Sequence, residues 1–378
     1  MKAVLFLTYG NSLETWEKAG ILERELELYL RQIEKFDLEL SIMSYGKAGE
    51  IRYRQRYPQV RILFNRYSLP TRVFARLVPI LFFKALDRAD IFKTNQMLGA
   101  HVASLCASRL NKPLYVRQGY SLVESESRKW GASSAQARRA LSYEKKIAAR
   151  GTHFAFSAMR MAQEFNQRYP RTIGKTSVLP NYVVEEVWSP ALEAQPRSES
   201  FRLAFMGKFT RQKNLPALID ACDGLDVELE LIGAGNLARK IEIQVAKQSR
   251  PLAISLTGRL PQAEACNRLR MCNCFILPSI YEGQPKALLE AMALGMPVIG
   301  TKIEGVSELI EDGVTGFLAE PSVQGMREVI IRVMNMKPED LERIGNAART
   351  FILENHGLKR IVEDDFKIIQ KLVAHGNA

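Results

Sequence analysis

The sequence predicts an α/β protein: two tandem, Rossmann-like, doubly wound parallel-sheet domains with a cleft between them. Three observations carry that expectation. The chain has 378 residues, which at roughly 150 residues per domain means two cores. Short apolar runs alternate with helix-period stretches through both halves, the pattern of βαβ units. A polar, aperiodic stretch containing Pro190 and Pro196 separates the two series, as a linker would. With 47% hydrophobic and 25% charged residues, the chain is neither disordered nor a small disulfide scaffold.

The elements follow in order. Residues 4–7 form an apolar strand ending in the turn signal Tyr9-Gly10-Asn11-Ser12. Residues 19–36 place Leu22, Leu26, Tyr29 and Ile33 at spacings of three and four, a helix with one buried face. Further strands are expected at 38–42, 91–94, 114–116, 153–157 and 176–179. Residues 189–200 are the linker, and the alternation then restarts. Strands are expected at 201–206, 227–232, 254–257, 275–278 and 298–300, with helices at 215–222, 237–247, 264–271 and 287–294. The division is therefore 1–188, a linker at 189–200, 201–355, and a closing helix in 356–378 that packs back on the first domain. In doubly wound sheets ligands bind outside the carboxyl ends of the strands, which puts the site in the cleft.

Charge is uneven. Lysine and arginine number 53 against 41 acids, a net +12, but residues 51–150 alone hold 20 basic against 5 acidic residues. Such a block suits an anionic membrane, an anionic substrate or nucleic acid, or a plain solvated face. Within residues 51–88 arginines interleave with Tyr53, Tyr57, Phe64, Tyr67, Phe74, Phe82 and Phe83, half of them assigned to the core. Five cysteines without framework spacing imply a reducing compartment. Cys272-Asn273-Cys274 has no second ligand pair nearby and precedes an apolar strand, so packing explains it. The N-terminus lacks a signal peptide, and the apolar run at 77–83 is too short to span a bilayer. The expected location is cytoplasmic, peripheral on the inner face of the cell membrane.

Two segments carry chemistry. In Tyr281-Glu282-Gly283-Gln284-Pro285-Lys286-Ala287-Leu288-Leu289-Glu290, two carboxylates stand eight residues apart, one in a loop and one on the helix that Pro285 starts. Gly283 permits close backbone approach, and the helix N-terminus favours an anion. Fixed acceptors beside an anion site suit a ligand bearing hydroxyls and phosphate, although glutamates on a solvated helix face have the same look. Gly207-Lys208-Phe209-Thr210-Arg211-Gln212-Lys213-Asn214 follows a strand and opens a helix; a glycine turn with three cations suits a diphosphate. Neither Gly10 nor Gly233-Ala234-Gly235 completes a dinucleotide fingerprint.

Together these segments resemble retaining glycosyltransferases of family 4, the glycosyl transferases group 1. The resemblance rests on Glu282 and Glu290 in E-G-x-P-x-x-x-x-E-A-M-A, on Gly295-Met296-Pro297-Val298-Ile299, and on Glu304-Gly305-Val306-Ser307-Glu308-Leu309-Ile310-Glu311-Asp312-Gly313-Val314-Thr315-Gly316-Phe317. Gly207-Lys208 through Lys213-Asn214 is similar to that family's phosphate loop. Leu179-Pro180-Asn181 with Trp188-Ser189-Pro190 is similar to its interdomain motif. The ordered match covers residues 175–320.

The resemblance implies a GT-B fold, with the nucleotide-sugar donor held by the second domain and a glycan or lipid-linked acceptor by the first. Lys208 and Lys213, with Gly207 and Arg211, would meet the donor diphosphate. Glu290 would hold the ribose, and Glu282 the hexose hydroxyls, with Gly283, Gln284 and Pro285 shaping that pocket. Gly258, Arg259 and Leu260 would meet the base, and Gly10 and Asn11 would approach the phosphates. The implied reaction retains configuration by front-face attack and needs no metal or other cofactor. Departures from the pattern are Lys208 for arginine, Tyr182 for the glycine after Pro-Asn, and Gln118 for histidine. Asn95, Arg117 and Gln118 are then the acceptor-side residues, and His101, His153, His356 and His375 are structural or exposed.

Two other readings stand beside this one. A related GT-B epimerase or phosphorylase is opposed by the two glutamates with the lysine loop. A non-catalytic membrane- or nucleic-acid-binding protein rests on charge alone; no nucleic-acid motif occurs, and nucleic acid is not expected as a partner.

Overall fold

The computed structural model describes residues 1–189, 200–246 and 254–376. Most of the expected linker, 190–199, lies outside them, as does the last residue of the helix expected at 237–247. The chain divides into two compact units, Met1–Pro180 with Ile361–Ala378, and Asn181–Arg360.

The first unit holds seven strands: β1 (Lys2–Phe6), β2 (Glu39–Met43), β3 (Val60–Leu63), β4 (Ile91–Thr94), β5 (Leu114–Gln118), β6 (His153–Phe156) and β7 (Thr176–Val178). Their order is β3-β2-β1-β4-β5-β6-β7, and every pairing is parallel. The central strands are buried on both faces rather than alternating; β4 and β5 are buried at every position, their polar residues included. β3 is not expected from the sequence, because its four residues sit among arginines and aromatics that hide the apolar run. The helix expected at 19–36 is Leu22–Phe36, and a shorter helix absent from the expectation precedes it. Leu13–Lys18 starts on a capping box between Ser12 and Thr15, and Leu22–Phe36 follows. Gly20 at φ +66° separates them, a conformation only glycine adopts freely.

The second unit holds β8 (Phe201–Met206), β9 (Val227–Ile232), β10 (Ile254–Gly258), β11 (Cys274–Leu277), β12 (Val298–Thr301) and β13 (Phe317–Ala319). The order is β10-β9-β8-β11-β12-β13, again all parallel. β13 is the one strand of this sheet absent from the sequence expectation; three residues are too few to show a period. The unit begins at Asn181 rather than the expected 201, and residues 181–188, expected in the first domain, belong here because Val183 and Trp188 are buried in its core. At the other end the helix Leu358–Gly376 contributes Ile361 onward to the first unit.

That closing helix is fixed by a buried polar knot. Lys93 of β4 pairs with Asp365 at 2.5 Å, and both side chains are all but inaccessible. Asp365 also accepts from the Tyr115 hydroxyl at 2.8 Å and the Gln32 amide at 2.9 Å. The ammonium lies 4.9 Å from the ring centres of Tyr29 and Tyr115. Burial pulls the Lys93 pKa down to about 8 in spite of its partner. Burial opposes the Asp365 charge, yet Lys93 and the hydrogen bonds hold its pKa below the ordinary value. Among the described residues no helix is long and apolar enough to cross a membrane.

Candidate active site

In each sheet the strand order reverses beside the first strand of the unit, between β1 and β4 and between β8 and β11. Loops leaving the carboxyl ends on the two sides of such a point bound a crevice. In the second unit these loops are Gly207–Asn214 after β8 and 278–285 after β11, the two segments singled out in the sequence.

Backbone contacts set the β8 loop. Gly207 donates to the Ile232 carbonyl at 2.9 Å, and Phe209 to the Ala234 carbonyl at 3.1 Å. The β9 loop passes so close that a Cβ on Gly233 would stand 1.9 Å from the Gly207 oxygen, and one on Gly235 2.3 Å from the Phe209 oxygen. Gly233-Ala234-Gly235 is thus a close-packing element. Arg211–Lys213 makes one tight turn, Asn214 takes φ +50°, and the helix Leu215–Cys222 follows. Lys208 and Arg211 are exposed, and Lys208 has no ion-pair partner among the described residues.

The turn delivers Lys213 to Glu282. Their ammonium and carboxylate form an ion pair, with side chains 15% and 7% exposed. The same carboxylate accepts from the Ser279 hydroxyl at 2.6 Å and the Gln212 amide at 3.1 Å. Gln212 also donates to the Tyr281 carbonyl at 2.9 Å, and its own carbonyl accepts from Ile280 at 2.9 Å. The pair therefore spans the switch point and ties the two loops together. Three donors fix the orientation of the Glu282 side chain.

Two further contacts brace the β11 loop. The Asn181 amide donates to the Gln284 carbonyl at 2.8 Å, and the Asn181 backbone N–H donates to the Gln284 side chain. Asn181 is held in turn by His356, whose Nδ1 lies 3.0 Å from its carbonyl; burial lowers the His356 pKa. On the other flank a Cβ on Gly305 would stand 2.0 Å from the Gly283 oxygen. Pro285 occupies the cap position, and the helix runs Lys286–Ala293, one residue earlier than the expected 287–294. Glu290 is buried on that helix. Tyr182 is buried with the Lys286 ammonium 5.6 Å above its ring.

The structure therefore gathers Gly207, Arg211, Lys213, Glu282, Gly283, Gln284 and Pro285 on the two loops at the switch point. Gly258, Arg259 and Leu260 follow β10, with Gly258 at φ +71° and its carbonyl 2.7 Å from the Gly233 nitrogen. Sequence reasoning missed Gln212, Ser279, Gly305 and His356 as supports. Only a glycine in a helix start, at Gly305, gave a signal.

In the first unit Gly10 has φ +81° and is exposed. Asn11 closes a turn onto the Thr8 carbonyl at 2.8 Å. The helix that follows has no open N-terminus: the buried Glu50 carboxylate accepts from the Leu13 and Glu14 N–H groups at 3.2 and 3.1 Å. Asn95 is engaged by the Thr8 hydroxyl at 2.9 Å. Arg117 and Gln118 end β5 and are buried, and the Gln118 side-chain oxygen has no hydrogen-bond partner among the described residues. His101 touches Tyr143 and Tyr9, and His153 contacts Ser177 at 2.8 Å.

The glycosyl transferases group 1 family model matches residues 192–351. A glycosyltransferase of Methanocaldococcus jannaschii that is itself uncharacterized is 37% identical over 132 residues, 35% of this chain and 37% of that one. The chain thus spans little more than a third of that relative's length. The alpha-maltose-1-phosphate synthase of Mycobacterium tuberculosis is 25% identical over 98% of this chain and 100% of its own. Among solved structures, the Anabaena HepE protein in complex with UDP and glucose superposes with a TM-score of 0.77 at 15% identity, covering 97% of this chain and 99% of that one.

Proposed function

We propose, from the premise that this chain is a group 1 glycosyltransferase with a GT-B fold, that it moves a sugar from a nucleoside-diphosphate donor to a glycan or lipid-linked acceptor with retention of configuration. The observation that carries the reading is the Lys213–Glu282 pair across the switch point of the second sheet. Glu282 orients the ammonium. An ammonium has three donors, so Lys213 can serve the carboxylate and a diphosphate oxygen together. Lys208 and Arg211, exposed on the same loop, add positive charge. As the bond from the anomeric carbon to the diphosphate breaks, charge grows on the leaving oxygen, and fixed cations stabilise it. The acceptor oxygen joins the same face of the anomeric carbon, and its proton passes to the leaving diphosphate. These cations are side chains, and the reaction so written calls for no metal. The five free thiols suit work in a reducing compartment.

The test is a panel of UDP, GDP and ADP sugars, read by thermal shift and nucleotide release. One donor class should stabilise the protein and release its nucleotide when acceptor is supplied. Stabilisation by none sinks the proposal. Release that requires inorganic phosphate instead of an acceptor hydroxyl would make the protein a phosphorylase.

A further inference from the structure

The basic excess of the first unit has a location. Between Ile51 and Leu86 the sequence contains no aspartate or glutamate. Some arginines there are matched from elsewhere: Arg52 and Arg56 pair with Glu17, and Arg56 also with Glu23. Those of the helix Thr71–Leu81 and its flanks are not. Arg72, Arg76 and Lys84 are exposed and make no ion pair among the described residues. The Arg66 guanidinium makes no ion pair among the described residues; it meets its neighbour Tyr67, at the hydroxyl and over the ring.

The same face carries large apolar side chains. The helix buries Phe74, Ala75, Val78 and Pro79, and turns Arg72, Val73, Arg76 and Ile80 outward. Ile80 is 67% exposed, Phe83 53% and Tyr67 54%. A solvated face would interleave acids with its cations at helical spacing. A protein-docking face would be depleted of charge at its centre. A phosphate-backbone face gains nothing from isoleucine and phenylalanine at its crest. Exposed isoleucine and phenylalanine set among unpaired cations fit the boundary of an anionic bilayer, where the apolar groups enter and the cations stay with the lipid phosphates.

We propose that Thr71–Leu81, with Tyr67, Phe83 and Lys84, docks this protein on anionic membrane, the helix lying in the interface along its length of about 16 Å. The lipid surface is the partner here, whatever the acceptor of the transfer reaction. The full chain should sediment with phosphatidylcholine vesicles that contain phosphatidylglycerol and not with phosphatidylcholine alone. Binding should fall when salt rises from about 0.1 to about 0.5 M and the screening length shrinks from about 10 to about 4 Å. Arg72→Gln/Arg76→Gln/Lys84→Gln should weaken binding about 100-fold, roughly fivefold per cation. Ile80→Ser/Phe83→Ser should weaken it by about tenfold or more. Arg138→Gln/Arg139→Gln, on another helix of the basic region, should bind like the native chain. Native binding by the first two variants, or an equal loss in the third, overturns the proposal. Melting temperature and nucleotide release from soluble donor, measured on each variant, separate lost docking from unfolding and from failure of the transfer reading.

Discussion

Glu282→Gln should cost this protein one to two orders of magnitude in turnover, and the site shows why. The native carboxylate accepts from three donors: the Lys213 ammonium, the Gln212 amide at 3.1 Å and the Ser279 hydroxyl at 2.6 Å. A glutamine keeps one carbonyl and turns an NH2 group toward one of those donors. It therefore loses a charge-assisted bond where little water can replace it, the side chains being 15% and 7% exposed. Such a bond is worth about 1.5–3 kcal/mol, or about 10- to 150-fold in kcat/KM. Lys213→Ala removes the same bond together with the cation proposed to meet the diphosphate, so its loss should be at least as large. Because the two changes share one interaction, the double variant should lose less than the product of the singles, by a coupling of about 1.5–3 kcal/mol. The assay is nucleotide release at limiting donor, with the melting temperature of each variant as the structural control. Effects that simply multiply would show that the pair does not act as a unit. Native turnover in both single variants would refute the assignment of the two loops altogether.

Other outcomes follow from the same coordinates. Lys93→Met leaves Asp365 charged and buried with only Gln32 and Tyr115, and should cost about 3–5 kcal/mol in guanidinium unfolding. Lys93→Met/Asp365→Leu should recover most of that loss, and a failure to recover would mean the pair is not the anchor. Since the folded Lys93 releases its proton near pH 8 and the unfolded chain only near 10.5, the unfolded state binds more protons in between. Native stability, measured relative to the double variant, should therefore rise from pH 8 toward pH 10; a flat or falling difference would contradict the burial assigned to Lys93. Gly305→Ala, whose Cβ meets the Gly283 oxygen at 2.0 Å, should cost about 1–3 kcal/mol of stability, with a loss of donor turnover, and native melting would show that the loop gives way. Asn181→Ala deletes the bond to the Gln284 carbonyl and should raise the donor KM about fivefold, as the loss of about 1 kcal/mol implies, with kcat nearly unchanged.

Legibility in the sequence followed the length and burial of each element. β8 and β9 match their expected bounds because six apolar-rich residues between turn signals leave no competing pattern. β3 and β13, of four and three residues, carry too little pattern to be seen. The short helix Leu13–Lys18 is signalled only by the Ser12–Thr15 capping box, because six residues are too few to show a helical period. At the site, Lys213 and Glu282 were legible as residue types in a motif. Their mutual contact was not, because it joins loops 69 residues apart and no local spacing encodes it. The buried Lys93 escaped for the same reason: its partner lies 272 residues away. Gly10 and Asn11 form the turn after β1, and the neighbouring helix end is already filled by Glu50, a residue with no local signal for that role.

Asp365 also has a bearing on how the chain is made. The first unit leaves the ribosome ahead of the second, and domains generally fold in that order. This one cannot finish. Until residues near 365 emerge, Lys93 has no carboxylate to meet inside the sheet, and Gln32 and Tyr115 lack the acceptor they share. Phe36 likewise waits for the ring of Phe366, stacked 4.1 Å away in the finished protein. The nascent first unit is thus an open form with a destabilised core, closed only by a segment synthesised after the second unit. A chain shortened ahead of residue 361 would lose the first unit's integrity even though both loops at the second unit's switch point had been translated.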